Sequence, residues 1–214
     1  MQRDIAVIDI GVDEIIRLLP FISSIDLFIK VYGAQLTLRL LDKKHVSLES
    51  EAFLVSKLKS VFGIREVKYL ECILKDVESS NQQAAEFKKN NNSATIDGVE
   101  FTPEILTKAY WPTEAKLLCR IPIELSTCQS VFNAFYKSRF SKRSLTWYFN
   151  KGQTEILTTF TSRRHRLIAN VIQTSIICLF NDRDEIEYQG IKNELEISDD
   201  ALKSALHCLC HPKI

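Results

Sequence analysis

The sequence predicts a mainly α-helical chain with a small α+β part. The expected order is a helical bundle over residues 1–92, an α+β unit with a β-hairpin over 93–165, and a partial winged helix, its helix-turn-helix half, over 166–214. Three observations carry this expectation. Apolar residues recur at three- and four-residue steps along the first ninety positions, the signature of helices with one buried face. The period shifts to strict alternation near residues 145–160. The last fifty residues then read as three short helices, the second and third separated by "EIS".

The elements follow in order. "VDEIIRLLPFISSIDLFIKVYGAQLTLRLL" is amphipathic, with a break expected near Pro20 and Ser23–Ser24. After the break, Ile25, Phe28, Ile29, Tyr32, Leu36 and Leu40 form a helical stripe. Ser47 has the character of an N-cap, with Glu49 and Glu51 in the first turn of a helix ending at Gly63. Val67, Leu70, Ile73, Leu74 and Val77 keep the period through a third helix. "KKNNNSAT", residues 88 to 95, reads as a solvated linker.

Beyond it, a short strand is expected around Val99 to Phe101 and a helix over "QSVFNAFYKSRF". "SLTWYFNKGQTEILTTF" reads as a β-hairpin. Leu145, Trp147 and Phe149 stand on one side of a turn at Asn150–Gly152, and Ile156, Thr158 and Phe160 on the other. The final helices are "VIQTSIICLF", "YQGIKNELE" and one that starts after an N-cap at Ser198, with Asp199 and Asp200 in its first turn. The hairpin that would form the wing is not in the sequence, which ends at Ile214.

Composition narrows the function classes. The apolar fraction is 45%, the charged fraction 26% and the net charge +1, so no overall bias points to nucleic acid or to a membrane surface. Six scattered cysteines do not make a disulfide scaffold, and "MQRDIAVIDIGVDE" lacks the apolar core of a signal peptide. A reduced, intracellular protein is expected. The motifs GxxxxGK[ST], GxGxxG, HExxH and GxSxG are absent, and no acid/base constellation stands out, so no active site is expected.

The terminal "HCLCH" places His207, Cys208, Cys210 and His211 within five residues. Structural zinc sites pair ligands from two separate segments, and no second pair exists. The favoured reading is exposed histidines and flank cysteines on a short helix, with no metal and no cofactor. Two basic clusters, "KSRFSKR" (Lys137, Arg139, Lys142, Arg143) and "RRHR" (Arg163, Arg164, Arg166), are either solvated loops or contacts for an anionic partner.

Several stretches together resemble the C-terminal half of cullins, the scaffold subunits of multi-subunit RING ubiquitin ligases. "DLFIKVYGAQLTLRLL", "SEAFLVSKLKSVFG", "KYLECILKDVESSNQQAAEF", "VEFTPEILTKAYWP", "FNAFYKSRFSKRSLTWYFNKGQTEILTTF" and the terminal helices follow that family's signatures in the same order. Three positions depart: Ala109 replaces a usual glycine before Tyr110–Trp111–Pro112, Lys142 stands where glycine is common, and Cys72 interrupts a KLE block. The sequence is therefore similar to a divergent cullin truncated at both ends. It lacks the adaptor-binding helical repeats and the second winged helix that carries the lysine modified by a ubiquitin-like protein.

The resemblance implies a non-catalytic scaffold of the cytoplasm and nucleus that holds a small RING-finger protein by β-augmentation. Residues expected to bind it are Val99, Phe101, Leu106, Tyr110, Trp111, Leu145, Trp147 and Phe149, each of which could equally serve the chain's own core. Lys137, Arg139, Lys142 and Arg143 are expected to attract the acidic tail of a ubiquitin-conjugating enzyme. Substrate adaptors would bind only through the absent N-terminal half. Two other readings stand beside this one: a winged-helix DNA-binding protein, and the cullin-like subunit of the anaphase-promoting complex. The first is disfavoured because the last helix exposes Asp199 and Asp200 near its N-terminal end.

Overall fold

The computed structural model describes residues 14, 16–42, 47–90, 95–111, 117–149, 151–158 and 164–210. The chain divides into two compact units, residues 1–90 with 102–113, and residues 91–101 with 114–214. The segment 102–113 thus belongs to the first unit although the sequence on both sides of it belongs to the second.

In the first unit a short 3₁₀ turn, Leu19–Phe21, contains Pro20 and precedes α1, Ile25–Asp42. The expected break therefore lies where a residue without a backbone N–H interrupts the helical ladder. Helix α2 spans Leu48–Phe62. The Ser47 hydroxyl accepts from Ser50 N–H, and Gly63 closes the helix with φ near 92°, a conformation that glycine adopts without strain. Helix α3, Ile64–Asn90, runs three residues into the expected linker; residues 91–94 lie outside the described residues. The core joins Ile29 and Leu36 of α1, Val55 and Leu58 of α2, and Val67, Leu70 and Ile73 of α3. At Gly33 the helices approach so closely that a Cβ would stand 2.6 Å from the Tyr69 ring. Across the bundle, Arg39 forks onto Glu51 at 2.8 and 3.0 Å, and the Tyr32 hydroxyl donates to the same carboxylate at 2.7 Å. Burial and the Glu51 contact raise the Tyr32 pKa, so its proton stays in place.

In the second unit, Ile96 and Val99 form a single antiparallel bridge around a turn at Asp97–Gly98, both at positive φ. The strand expected at Val99–Phe101 is reduced to that bridge. Helix α4, Ile123–Arg139, starts six residues before the expected segment, with Pro122 at its N-cap.

The sheet differs from the expected hairpin. Strand β1, Gln153–Thr158, pairs antiparallel with β2, His165–Asn170, in the register Gln153 to Asn170 through Thr158 to His165. Residues 145–149 are not in this sheet; Asn150 of the expected turn and Phe160 lie outside the described residues. Alternation reports an extended backbone but not its partner, and "HRLIAN" merges in sequence with the apolar run that follows. Asn170 ends β2 and starts α5, Val171–Leu179, through a reciprocal capping box with Gln173. Helices α6, Tyr188–Leu195, and α7, Asp199–Leu209, close the helix-turn-helix part over a core of Ile172, Ile176, Ile191, Leu195, Ile197 and Leu202. Ser198 holds the N-cap position of α7, but its side chain makes no capping bond. The interhelical tie falls one residue on, where Asp199 receives Tyr188 at 2.9 Å, Lys192 at 3.2 Å and Lys203 at 2.6 Å.

Candidate partner-binding site

The eight residues expected at the partner site fall into the two units. Leu106, Tyr110 and Trp111 belong to the first, on the strap formed by residues 102–111. One carboxylate organises this strap. Asp76 of α3 accepts Thr107 N–H at 2.5 Å, Thr107 Oγ–H at 2.7 Å and Trp111 Nε1–H at 2.7 Å. One turn along the helix, Ser80 Oγ accepts Ile105 N–H at 2.8 Å. The Tyr69 hydroxyl donates to the Tyr110 carbonyl at 3.0 Å. The Tyr110 hydroxyl is shared with Cys72, which raises its pKa. Trp111 is 8% exposed, and Leu106 and Tyr110 pack on the same core. These three side chains therefore build the first unit.

The sequence reading missed Asp76, Ser80 and Tyr69. A signal was present: Asp76 and Ser80 stand on the stripe that contains Ile73, Ala84 and Phe87, at steps of three and four, where apolar residues would otherwise be expected. Polar groups on a buried stripe imply donors that must be satisfied there.

In the second unit, Phe101 lies 6.1 Å from Phe132 and 6.3 Å from Trp147, and Trp147 meets Phe132 edge-on at 6.0 Å. Phe132, at 1% exposure, is the buried hub that α4 supplies. Trp147 is half-buried, and its Nε1–H donates to Asn133 Oδ1 at 3.2 Å. Along residues 144–147, Ser144 and Thr146 are exposed while Leu145 and Trp147 are half-buried, the alternation of a strand resting on one face. Among the described residues no strand or bridge pairs with this segment. Val99 is a half-buried bridge residue, and Phe149 is half-buried.

Lys137, Arg139, Lys142 and Arg143 are all exposed, on the last turn of α4 and just beyond it. Two of them are held by rings: the Arg139 guanidinium stands 5.7 Å from the Phe135 centroid and that of Arg143 4.9 Å from the Phe140 centroid. The other basic cluster is less coherent. Arg163 is outside the described residues, Arg164 is exposed, and Arg166 pairs with Glu155 at 2.7 Å.

On α7, His207 and Cys208 are exposed, as is Cys210 just after it; His211 lies outside the described residues. No group of three or more His, Cys, Asp or Glu positioned to hold a metal occurs among the described residues. The α7 surface carries Asp199 and Asp200, and Lys203 is engaged by Asp199, a poor match for a phosphate backbone. No described helix is long and apolar enough to cross a membrane.

Two family models match the chain, and their boundary does not follow the compact units, since residues 105–113 fall in the second match but in the first unit. The family model of the cullin alpha solenoid domain matches residues 2–84, and that of the cullin alpha+beta domain matches residues 105–214. The chain is 31% identical to Cullin-1 of Oryza sativa over 92% of its own length, and 31% identical to Cullin-3 of Dictyostelium discoideum over 96%. It is also 31% identical to human Cullin-4A over 92%. The aligned region makes up only 26–27% of each of these relatives.

Proposed function

The chain belongs to the cullin family, and from that premise we propose that it is a non-catalytic scaffold segment of a multi-subunit RING ubiquitin ligase. In this reading the second unit holds a small RING-finger protein by β-augmentation, and that protein positions a ubiquitin-conjugating enzyme in the cytoplasm and nucleus. The observation that supports it is the segment 144–147. It is extended, alternates in burial, rests on Phe132 through Trp147, and has no strand partner among the described residues. A strand added from outside would satisfy its backbone groups, while Leu145 and Trp147 keep the segment fixed from within.

The test is a RING-protein pull-down with two variants at Thr146. Thr146→Pro removes one backbone donor from an exposed position and is expected to abolish binding, whereas Thr146→Ala retains it. Undiminished capture by the folded proline variant rejects the site.

Lys137, Arg139, Lys142 and Arg143 support a second role, attraction of an acidic tail of the conjugating enzyme, because two of the four cations are stacked on aromatic rings and held outward. Reversing these charges should flatten the salt dependence of ubiquitin transfer in the reconstituted ligase. An unchanged salt profile removes this role.

A further inference from the structure

Ser141 lies on the turn that follows α4, closed by the Arg143 N–H donating to the Phe140 carbonyl at 3.2 Å. Its side chain is exposed, and among the described residues no partner takes its hydroxyl. One helical turn earlier, by contrast, the Ser138 hydroxyl already donates to the Phe135 carbonyl at 2.7 Å. Lys137 and Arg139 precede Ser141, Lys142 and Arg143 follow it, and all four cations are exposed. The arginines stand two residues before and two residues after the serine. Rings hold both guanidiniums, that of Arg139 at 5.7 Å from Phe135 and that of Arg143 at 4.9 Å from Phe140. Residues 140–149 form neither helix nor strand, so the hydroxyl and its neighbours are open to an enzyme that reads a substrate along its backbone.

We propose that Ser141 is a phosphorylation site for a serine kinase with an acidic substrate cleft, and that the phosphate closes the basic cluster to acidic partners. Charge complementarity between such a cleft and the flanking arginines brings this hydroxyl in and fixes its register. In the transfer, Ser141 Oγ attacks the terminal phosphorus of ATP, and the bond from that phosphorus to the bridging oxygen of ADP breaks. ADP leaves with the electron pair, and the hydroxyl proton passes to the aspartate of the kinase. The product carries about −1.5 to −2 charges at neutral pH. It stands among four positive charges and so cancels up to about half of them. Its oxygens also compete with an acidic segment for the same guanidiniums. The site itself is independent of the ubiquitin-ligase reading. Only its consequence rests on the attraction of the cluster for an acidic tail.

The test treats the whole 214-residue chain with ATP and a basophilic serine kinase that favours arginine on both sides of its target. Mass spectrometry locates the phosphate, and fluorescence anisotropy follows the binding of poly-glutamate. The expected result is phosphate at Ser141, incorporated at least about tenfold more slowly in the double variant Arg139→Gln with Arg143→Gln. The phosphorylated chain should bind poly-glutamate at least about fivefold more weakly than the parent. Ser141→Ala should bind it like the parent, before and after kinase treatment. Ser141 is exposed, so the far-UV circular dichroism of this variant should match the parent. Phosphate at Ser138 or Ser144 in place of Ser141, or at none of the three, overturns the site. Phosphate at Ser141 that leaves poly-glutamate affinity unchanged overturns the closing of the cluster. A parent chain indifferent to poly-glutamate rejects the acidic-partner role of the cluster and with it the closing, whereas incorporation at Ser141 still supports the site.

Discussion

The two tryptophans of this chain each stand beside another aromatic residue in the sequence, yet the structure treats them differently. Trp111 is almost wholly covered, and its indole N–H, with two donors from Thr107, ends on the single carboxylate of Asp76. Trp147 is half-buried, its indole N–H ends on Asn133, and no described strand pairs with the backbone around it. The strap around Trp111 has its polar groups met inside the first unit. The segment around Trp147 is anchored by side chains, and among the described residues no strand or bridge pairs with its backbone. An aromatic residue alone therefore does not mark an interface. The satisfaction of the neighbouring backbone distinguishes the two cases.

This contrast can be broken or sharpened by substitution. Because one tryptophan lies in each unit, single-tryptophan variants make urea unfolding followed by fluorescence report each unit separately. The largest effect is expected at Phe132→Ala, which removes the hub under Trp147 and Phe101 and should cost the second unit about 3–5 kcal/mol. Next comes Asp76→Ala. It strips the acceptor from three donors at once and should cost the first unit about 2–4 kcal/mol, with blue-shifted Trp111 emission moving to the red. Asn133→Ala should cost less, about 1 kcal/mol or below, because the half-buried Trp147 N–H can turn to water. If Asn133→Ala proves as damaging as Asp76→Ala, the distinction between a closed strap and an open segment fails.

The smallest effect is one of pH, at a site remote from both tryptophans. Hydrogen bonds from Lys203, then Tyr188 and Lys192, hold the Asp199 carboxyl well below the usual carboxylate range. A carboxylate whose pKa falls on folding stabilises the folded state fully above its unfolded pKa, ~3.9, and loses that contribution as pH falls further. The tie between α6 and α7 should therefore be fully present near neutral pH and loosen only in strong acid. Asp199→Asn should accordingly lower the melting temperature near neutral pH, converge on the parent in strong acid, and thereby flatten the acid limb. A variant that melts like the parent near neutral pH would locate the tie elsewhere.

Much of the architecture is determined locally and was legible in the sequence. Ser47 before two glutamates, Gly63 at a helix end, and Pro20 with Ser23–Ser24 at a break each act within one turn, so their meaning does not depend on distant neighbours. The same holds for the three terminal helices, whose apolar spacing converges on one small core. Pairing and partition were decided by tertiary structure. The alternation through Leu145, Trp147 and Phe149 reported an extended backbone, but the partner of β1 proved to be β2, drawn from a stretch that reads as the start of a helix. Leu106, Tyr110 and Trp111 stand in sequence beside Val99 and Phe101, yet Asp76 and Ser80 of α3 claim them for the other unit. Local periodicity is written in consecutive residues. Which backbone satisfies which, and which carboxylate collects which donors, depends on contacts across 25 to 35 positions of chain, and only the folded chain brings those together.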